Sequence, residues 1–257
     1  MNKYLLFLAA SFVSFSCQKA TETDLSKPTA ELKNISKSVD ISQNTAQLAF
    51  ELALIDDSEL SSYKIEIHND FDGHSHGRNE ASYLPFAFDK IYTISGKNAT
   101  ASEKITIPNT AATGLYHFQI NYFDKSGNEG EFIVNNFEIT HPQRQPKVVI
   151  DQPNFATEVE AEKGKNLALS CKVSDPDDLL EKVQVLLVAE EEENKGRKES
   201  TSPVFDRSFD KINAASLDVK LSIPIPSTIG TGHYALIIRC QDKSGNYKIQ
   251  SNEIHIH

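Results

Sequence analysis

Thr113-Gly114-Leu115-Tyr116-His117-Phe118-Gln119-Ile120-Asn121-Tyr122-Phe123-Asp124-Lys125-Ser126-Gly127-Asn128 is the stretch whose reading decides the fold. Tyr116, Phe118, Ile120 and Tyr122 project to one side, while Leu115, His117, Gln119 and Asn121 project to the other. A hydrophobic period of two belongs to a half-buried strand. The strand runs into Asp-Lys-Ser-Gly-Asn, where Asp and Asn can cap the backbone and Gly can take a positive φ, as a hairpin requires. The same features return 118 residues later as Thr231-Gly232-His233-Tyr234 and Asp242-Lys243-Ser244-Gly245-Asn246. Ile107-Pro108 likewise returns as Ile225-Pro226, and Phe88-Asp89-Lys90-Ile91 as Phe209-Asp210-Lys211-Ile212.

Duplication of one domain is the simplest account, and a chain of 257 residues has room for two cores. The copies are separated by His141-Pro142-Gln143-Arg144-Gln145-Pro146, polar and punctuated by Pro as linkers are. Each copy reads as about seven short strands without a helical stretch, which predicts an all-β chain of two tandem β-sandwiches. The expected domains are 28–141 and 146–257. With 26 basic against 36 acidic residues, the net charge of -10 argues against a nucleic-acid partner.

Gly-x-Tyr, alternating apolar residues and then Asp-x-x-Gly-Asn resembles the last hairpin of bacterial immunoglobulin-like domains. The resemblance labels these strands F and G, with strand B at Ala46 to Leu54 in the first copy and Leu167 to Val173 in the second. Cys171 then shares a face with Leu167, Leu169 and Val173, opposite Cys240 on the inward face of strand F. A B-to-F disulfide between Cys171 and Cys240 is therefore expected in an exported protein. The first copy has Ala53 and Tyr122 at roughly matching positions and no counterpart.

Export itself is read from the N-terminus. Lys3 supplies a positive charge, and Tyr4 to Phe15 is an apolar run too short to span a bilayer. Residues 1–16 thus read as a signal peptide. Ser14-Phe15-Ser16-Cys17 resembles the lipobox of bacterial lipoproteins, which implies acylation of Cys17 and a tether over residues 17–27. Two or three acyl chains would anchor the chain stably to a membrane.

Histidine clusters with acid only in His68-Asn69-Asp70-Phe71-Asp72-Gly73-His74-Ser75-His76. In an extended segment His74 and His76 face the same way and can grip one ion. Strand C, Tyr63 to His68, points Tyr63, Ile65 and Ile67 inward and His68 outward at its end. His117 faces outward near the start of strand F, which lies antiparallel beside C in an immunoglobulin sheet. His68, His74, His76 and His117 are thereby expected to converge at one rim, with Asp72 as a further donor or as the partner that fixes a tautomer. Alignment puts Leu186 where His68 stands and Ala235 where His117 stands, so the second copy serves as a contrast.

The other constellations are weaker. His255-x-His257 reads as exposed residues of the last strand, and His233 and His141 are assigned nothing. Asp56-Asp57-Ser58-Glu59 and Asp175-Pro176-Asp177-Asp178 offer three or four oxygens where calcium takes six to eight, so turn chemistry is expected and calcium is not. Neither a nucleophile elbow, a phosphate loop nor a zincin helix is present, and the chain reads as a binding protein rather than an enzyme.

Taken together, the lipobox, the tandem repeats and His68-x-x-Phe71-Asp72-x-His74-x-His76 resemble an uncharacterised Bacteroidetes-type lipoprotein family carrying a domain of unknown function. The expectation is a lipid-anchored protein of the cell envelope, on the outer membrane, that binds zinc or copper for capture, buffering or delivery to an envelope protein or metal-uptake receptor. The contrasting expectation is a structural or adhesive module that binds a protein or glycan.

Overall fold

The computed structural model describes residues 24–43, 45–69, 83–190 and 202–257. Its elements are strands throughout. The first copy contains β1 (Thr29–Lys33), β2 (Ser38–Asp40), β3 (Gln47–Ile55), β4 (Leu60–Asn69), β5 (Phe88–Thr93), β6 (Asn98–Thr106), β7 (Gly114–Asp124) and β8 (Ile133–Thr140). The second contains β9 (Lys147–Gln152), β10 (Glu160–Ala161), β11 (Asn166–Ser174), β12 (Leu180–Ala189), β13 (Phe205–Ala214), β14 (Ser216–Pro224), β15 (Gly232–Asp242) and β16 (Tyr247–Ile256). No helix among the described residues is long and apolar enough to cross a membrane.

In each copy a three-stranded sheet faces a five-stranded one. The orders are β1-β3-β6 against β2-β8-β7-β4-β5, and β14-β11-β9 against β10-β16-β15-β12-β13. The chain is thus two immunoglobulin-like sandwiches, with β3, β4, β7 and β8 as strands B, C, F and G. Eight strands replace the expected seven because the first strand is split. Its second part, β2 or β10, crosses to pair in parallel with the last strand of the other sheet.

Alternation builds the cores. Leu48, Phe50, Leu52 and Leu54 of β3 meet Tyr116, Phe118, Ile120 and Tyr122 of β7, all buried, with the rings of Phe50 and Phe118 5.0 Å apart. In the second copy Leu167, Leu169, Cys171 and Val173 face the sheet carrying Tyr234, Leu236, Ile238 and Cys240. Gly-x-Tyr acquires a physical reason as a tyrosine corner. The Tyr116 hydroxyl donates to the carbonyl of Ala112 at 2.8 Å, and that of Tyr234 donates to Gly230 at 2.9 Å.

The repeated turn is equally regular. Asn128 donates through its amide and its side chain to the two carboxylate oxygens of Asp124, at 2.8 and 2.7 Å. Asn246 does the same to Asp242 at 2.7 and 2.8 Å. Gly127 and Gly245 take φ of 89° and 96°, which a side chain would oppose.

The second copy's turn also joins the two sandwiches. Thr113, just before β7, accepts from the amide of Tyr247 at 3.0 Å and donates through its hydroxyl to the Tyr247 carbonyl at 3.1 Å. The amide of Tyr83 donates to Ser244 at 2.8 Å, the Arg144 guanidinium lies 4.0 Å over the Tyr83 ring, and Lys248 pairs with Glu138 at 2.7 Å.

Candidate functional site

Strand pairing brings the two strand-borne histidines of the first copy together. His68 on β4 and His117 on β7 are direct cross-strand partners, and their ring centroids lie 5.3 Å apart with the rings tilted 59°. Both point outward, because Ile67, Tyr116 and Phe118 beside them point into the core. Nδ1 of His117 lies 2.8 Å from Oδ1 of Asn136 on β8. An amide oxygen only accepts, so Nδ1 of His117 carries the proton that it donates to Asn136. Nδ1 of His68 is shielded from solvent without a hydrogen-bond partner, and Glu66 Oε1 stands 3.8 Å away.

The segment expected to complete the cluster departs from this edge. β4 ends at Asn69, one residue past His68, and Ile67 pairs with Phe88 of β5. Asp72, His74 and His76 lie outside the described residues, as does Cys17. The chain is described again at Tyr83, which is bonded to the second copy's turn as noted above. The imidazole pair therefore sits on the half of the first sandwich that faces the domain junction.

The register corrects one sequence alignment. Ala235 does occupy the place of His117, but its partner on β12 is Val188, so Val188 and not Leu186 stands where His68 does. The loop joining β11 to β12 is one residue longer than its counterpart between β3 and β4, which moves the offset from 119 on β3 and β11 to 120 on this strand. Neither Val188 nor Ala235 is a ligand, so the absence of both imidazoles at these positions in the second copy stands.

The second copy nevertheless has an imidazole cluster that sequence reasoning missed. His233 on β15 pairs with His255 on β16, ring centroids 5.2 Å apart, and His257 follows at 6.2 Å from His255. Nδ1 of His233 is held by the carboxylate of Glu253. His255 and Glu253 also line a surface cavity of about 430 Å³ together with Phe155 and Asn252. The signal was present in the outward alternation of Glu253, His255 and His257, but pairing to His233 required the register of the hairpin.

Cys171 and Cys240 are buried as their alternation requires, on opposite sheets of one core, and they stand as free thiols. Sγ of Cys240 lies 3.5 Å from the carbonyl of Lys248 on its neighbouring strand. Burial pushes Cys171 up to about 11 and Cys240 up to about 12, so both remain protonated at neutral pH.

Carboxylates gather at the opposite pole. Asp24, Asp56 and Asp57 each bring an oxygen within 4.8 Å of the other two, and they are the only group of three or more metal-type ligands this close among the described residues. The corresponding pole of the second sandwich holds Asp175 and Asp242, both buried, with Asp178 bonded to the Ser244 amide.

No curated protein matches the chain. Among solved structures it is similar to the fibronectin(III)-like modules of Clostridium thermocellum CbhA, with 14% identity, 89% of this chain and 93% of that one covered, and a TM-score of 0.26. It is also similar to a tetra-tandem repeat in the extending region of a large adhesion protein, at 11% identity, coverage of 90% and 50%, and a TM-score of 0.32. Red sea bream transglutaminase matches at 10% identity, coverage of 91% and 32%, and a TM-score of 0.30. The model of a domain of unknown function, DUF4625, matches twice, over residues 15–140 and 134–257, and the chain belongs to that family.

Proposed function

We propose that this tandem immunoglobulin-like protein is a lipid-anchored lipoprotein of the cell envelope that binds zinc or copper through the imidazoles of its first sandwich. The observation that carries the reading is the cross-strand pair of His68 and His117. Two imidazoles on one tetrahedral ion, with metal–nitrogen bonds of about 2.05 Å and ring nitrogens about 1.15 Å from each centroid, place their centroids about 5.2 Å apart. The pair stands at 5.3 Å without an ion. His74 and His76, six and eight residues past His68, are within the reach of an extended chain and would supply the remaining nitrogens, with Asp72 as a further donor.

Zinc and copper both suit imidazole without thiolate, and the orientation of His117 by Asn136 is the type of outer contact that metal-binding histidines use. The ion would be captured or buffered at the membrane and passed to an envelope partner. Cys17 would carry the acyl chains, and in an oxidising compartment Cys171 and Cys240 would bridge. This makes the chain a binding protein and not a catalyst. The contrasting reading is a structural or adhesive module, favoured by the direct docking of one sandwich on the other.

Zinc titration of the untagged mature chain, alongside His68→Ala/His117→Ala and His74→Ala/His76→Ala, separates the two. The metal reading expects saturable binding that falls at least about tenfold in each double variant. Identical isotherms for all three proteins would leave the structural module.

A further inference from the structure

We infer that Asp24, Asp56 and Asp57 form a calcium site at the pole of the first sandwich where the N-terminal segment joins it. Asp24 lies five residues before β1, while Asp56 and Asp57 follow β3, so the group joins two separate parts of the chain. Three of their six carboxylate oxygens already have donors. Asp24 Oδ1 accepts from the Ser26 amide at 2.9 Å, Asp57 Oδ2 from the Ser26 hydroxyl at 2.8 Å, and Asp56 Oδ2 from the Ser58 amide at 3.0 Å.

Two oxygens do not. Asp56 is only 5% exposed, and its Oδ1 is sealed from solvent with no donor. Asp24 Oδ2 is in the same condition. A buried carboxylate oxygen without a partner is costly, and three like charges at this spacing add repulsion. The ammonium of Lys97 donates to the main-chain carbonyl of Asp57 at 2.6 Å and not to a carboxylate of the group. Among the described residues no Lys or Arg forms an ion pair with any of the three.

A cation at the centre would satisfy both oxygens and cancel the repulsion. The donor set is oxygen alone, which selects a hard ion over zinc or copper. Calcium takes six to eight oxygens in a flexible arrangement, which three carboxylates from two separate parts of the chain meet more readily than the near-ideal octahedron that magnesium demands. Water and main-chain carbonyls would complete the shell. The loop after β3 alone has too few donors, which is why sequence reading favoured a turn there. Asp24, 32 residues before Asp56, becomes a neighbour only through the fold.

The site would clamp the segment that leads from the membrane tether onto the sandwich. The test is calorimetric titration of calcium into residues 18–257 stripped of metal, for the wild type, Asp57→Asn and Asp177→Asn/Asp178→Asn. Asp57 is exposed, so its variant should keep the fold, checked by an unchanged melting temperature in chelator. The expected result is saturable binding, weakened about tenfold or more by Asp57→Asn and unchanged by the second-domain variant, with calcium slowing amide exchange over residues 24–28. Absence of saturation up to about 10 mM calcium, well above the range of extracellular modules, would overturn the site. So would equal affinity in Asp57→Asn, or a loss confined to Asp177→Asn/Asp178→Asn. His68→Ala/His117→Ala should bind calcium normally, so failure of the imidazole site leaves this one standing.

Discussion

Asp124 and Asp242 occupy the same place in the same turn, and each accepts two bonds from its Asn, yet their surroundings drive their acidities apart. For Asp124 burial acts upward, but the bonds from Asn128 and from the amides of Ser126 and Gly127 outweigh it and hold the carboxyl below its ordinary value. For Asp242 burial prevails over the Asn246 bonds, and the nearby charges of Asp175 and Asp178 add to it, raising the carboxyl to about 7. An unfolded Asp titrates near about 3.9, so the native second sandwich holds an extra proton between about pH 4 and 7. The contribution of Asp242 to its stability is full below that window and is lost as pH rises through it to about 7. Carboxyl carbon NMR should place the Asp242 titration near neutrality and that of Asp124 below the ordinary value of an aspartate, and an Asp242 midpoint near 4 would contradict this electrostatic account. The turn was legible in the sequence from Asp, Gly and Asn alone. The acidity was not, since it depends first on how deeply the fold buries the carboxyl and then on Asp175, which sits 67 residues away.

At the scale of elements, period-two alternation carried strands B, C and F to within a few residues of their observed ends, because each buries one face completely. The edge elements were harder to read. β2 and β10 are three and two residues long and hold their place by parallel pairing to a distant strand, which leaves no period to detect. The one-residue difference between the loops after β3 and β11, added to an offset of 119 already present on those strands, shifted the expected partner of Ala235 by two residues. Gly130, after the first turn, tests the local packing. A Cβ there would lie 2.0 Å from the Tyr122 ring and 2.7 Å from the Pro28 carbonyl, whereas one on Gly127 would meet nothing within 4 Å. Gly127→Ala should therefore cost about 1 kcal/mol from its positive φ alone. Gly130→Ala should cost about 3 kcal/mol and free the segment around Pro28, seen as faster amide exchange there. Equal losses in urea unfolding, with no change in exchange, would show that the segment is not packed as described.

Over the whole molecule, β4 separates two chemically different poles. Its ten residues span about 30 Å, from Leu60 beside the carboxylates to Asn69 beside the imidazoles. The carboxylate pole receives the N-terminal segment, and the imidazole pole adjoins the contact with the second sandwich through Thr113, Tyr83 and Glu138. Sequence reading reached the imidazole pair because alternation and the antiparallel neighbourhood of strands C and F suffice to bring His68 beside His117. It did not reach His233 with His255, or Asp24 with Asp56, since those meetings depend on hairpin register and on the path of a segment without secondary structure. The most direct measurement is anomalous diffraction at the zinc edge from crystals of the mature chain grown with zinc. The account expects a peak within about 2.1 Å of a ring nitrogen on both His68 and His117. A well-occupied zinc elsewhere, at His233 and His255 or at Asp56, with neither His68 nor His117 coordinated, would contradict it.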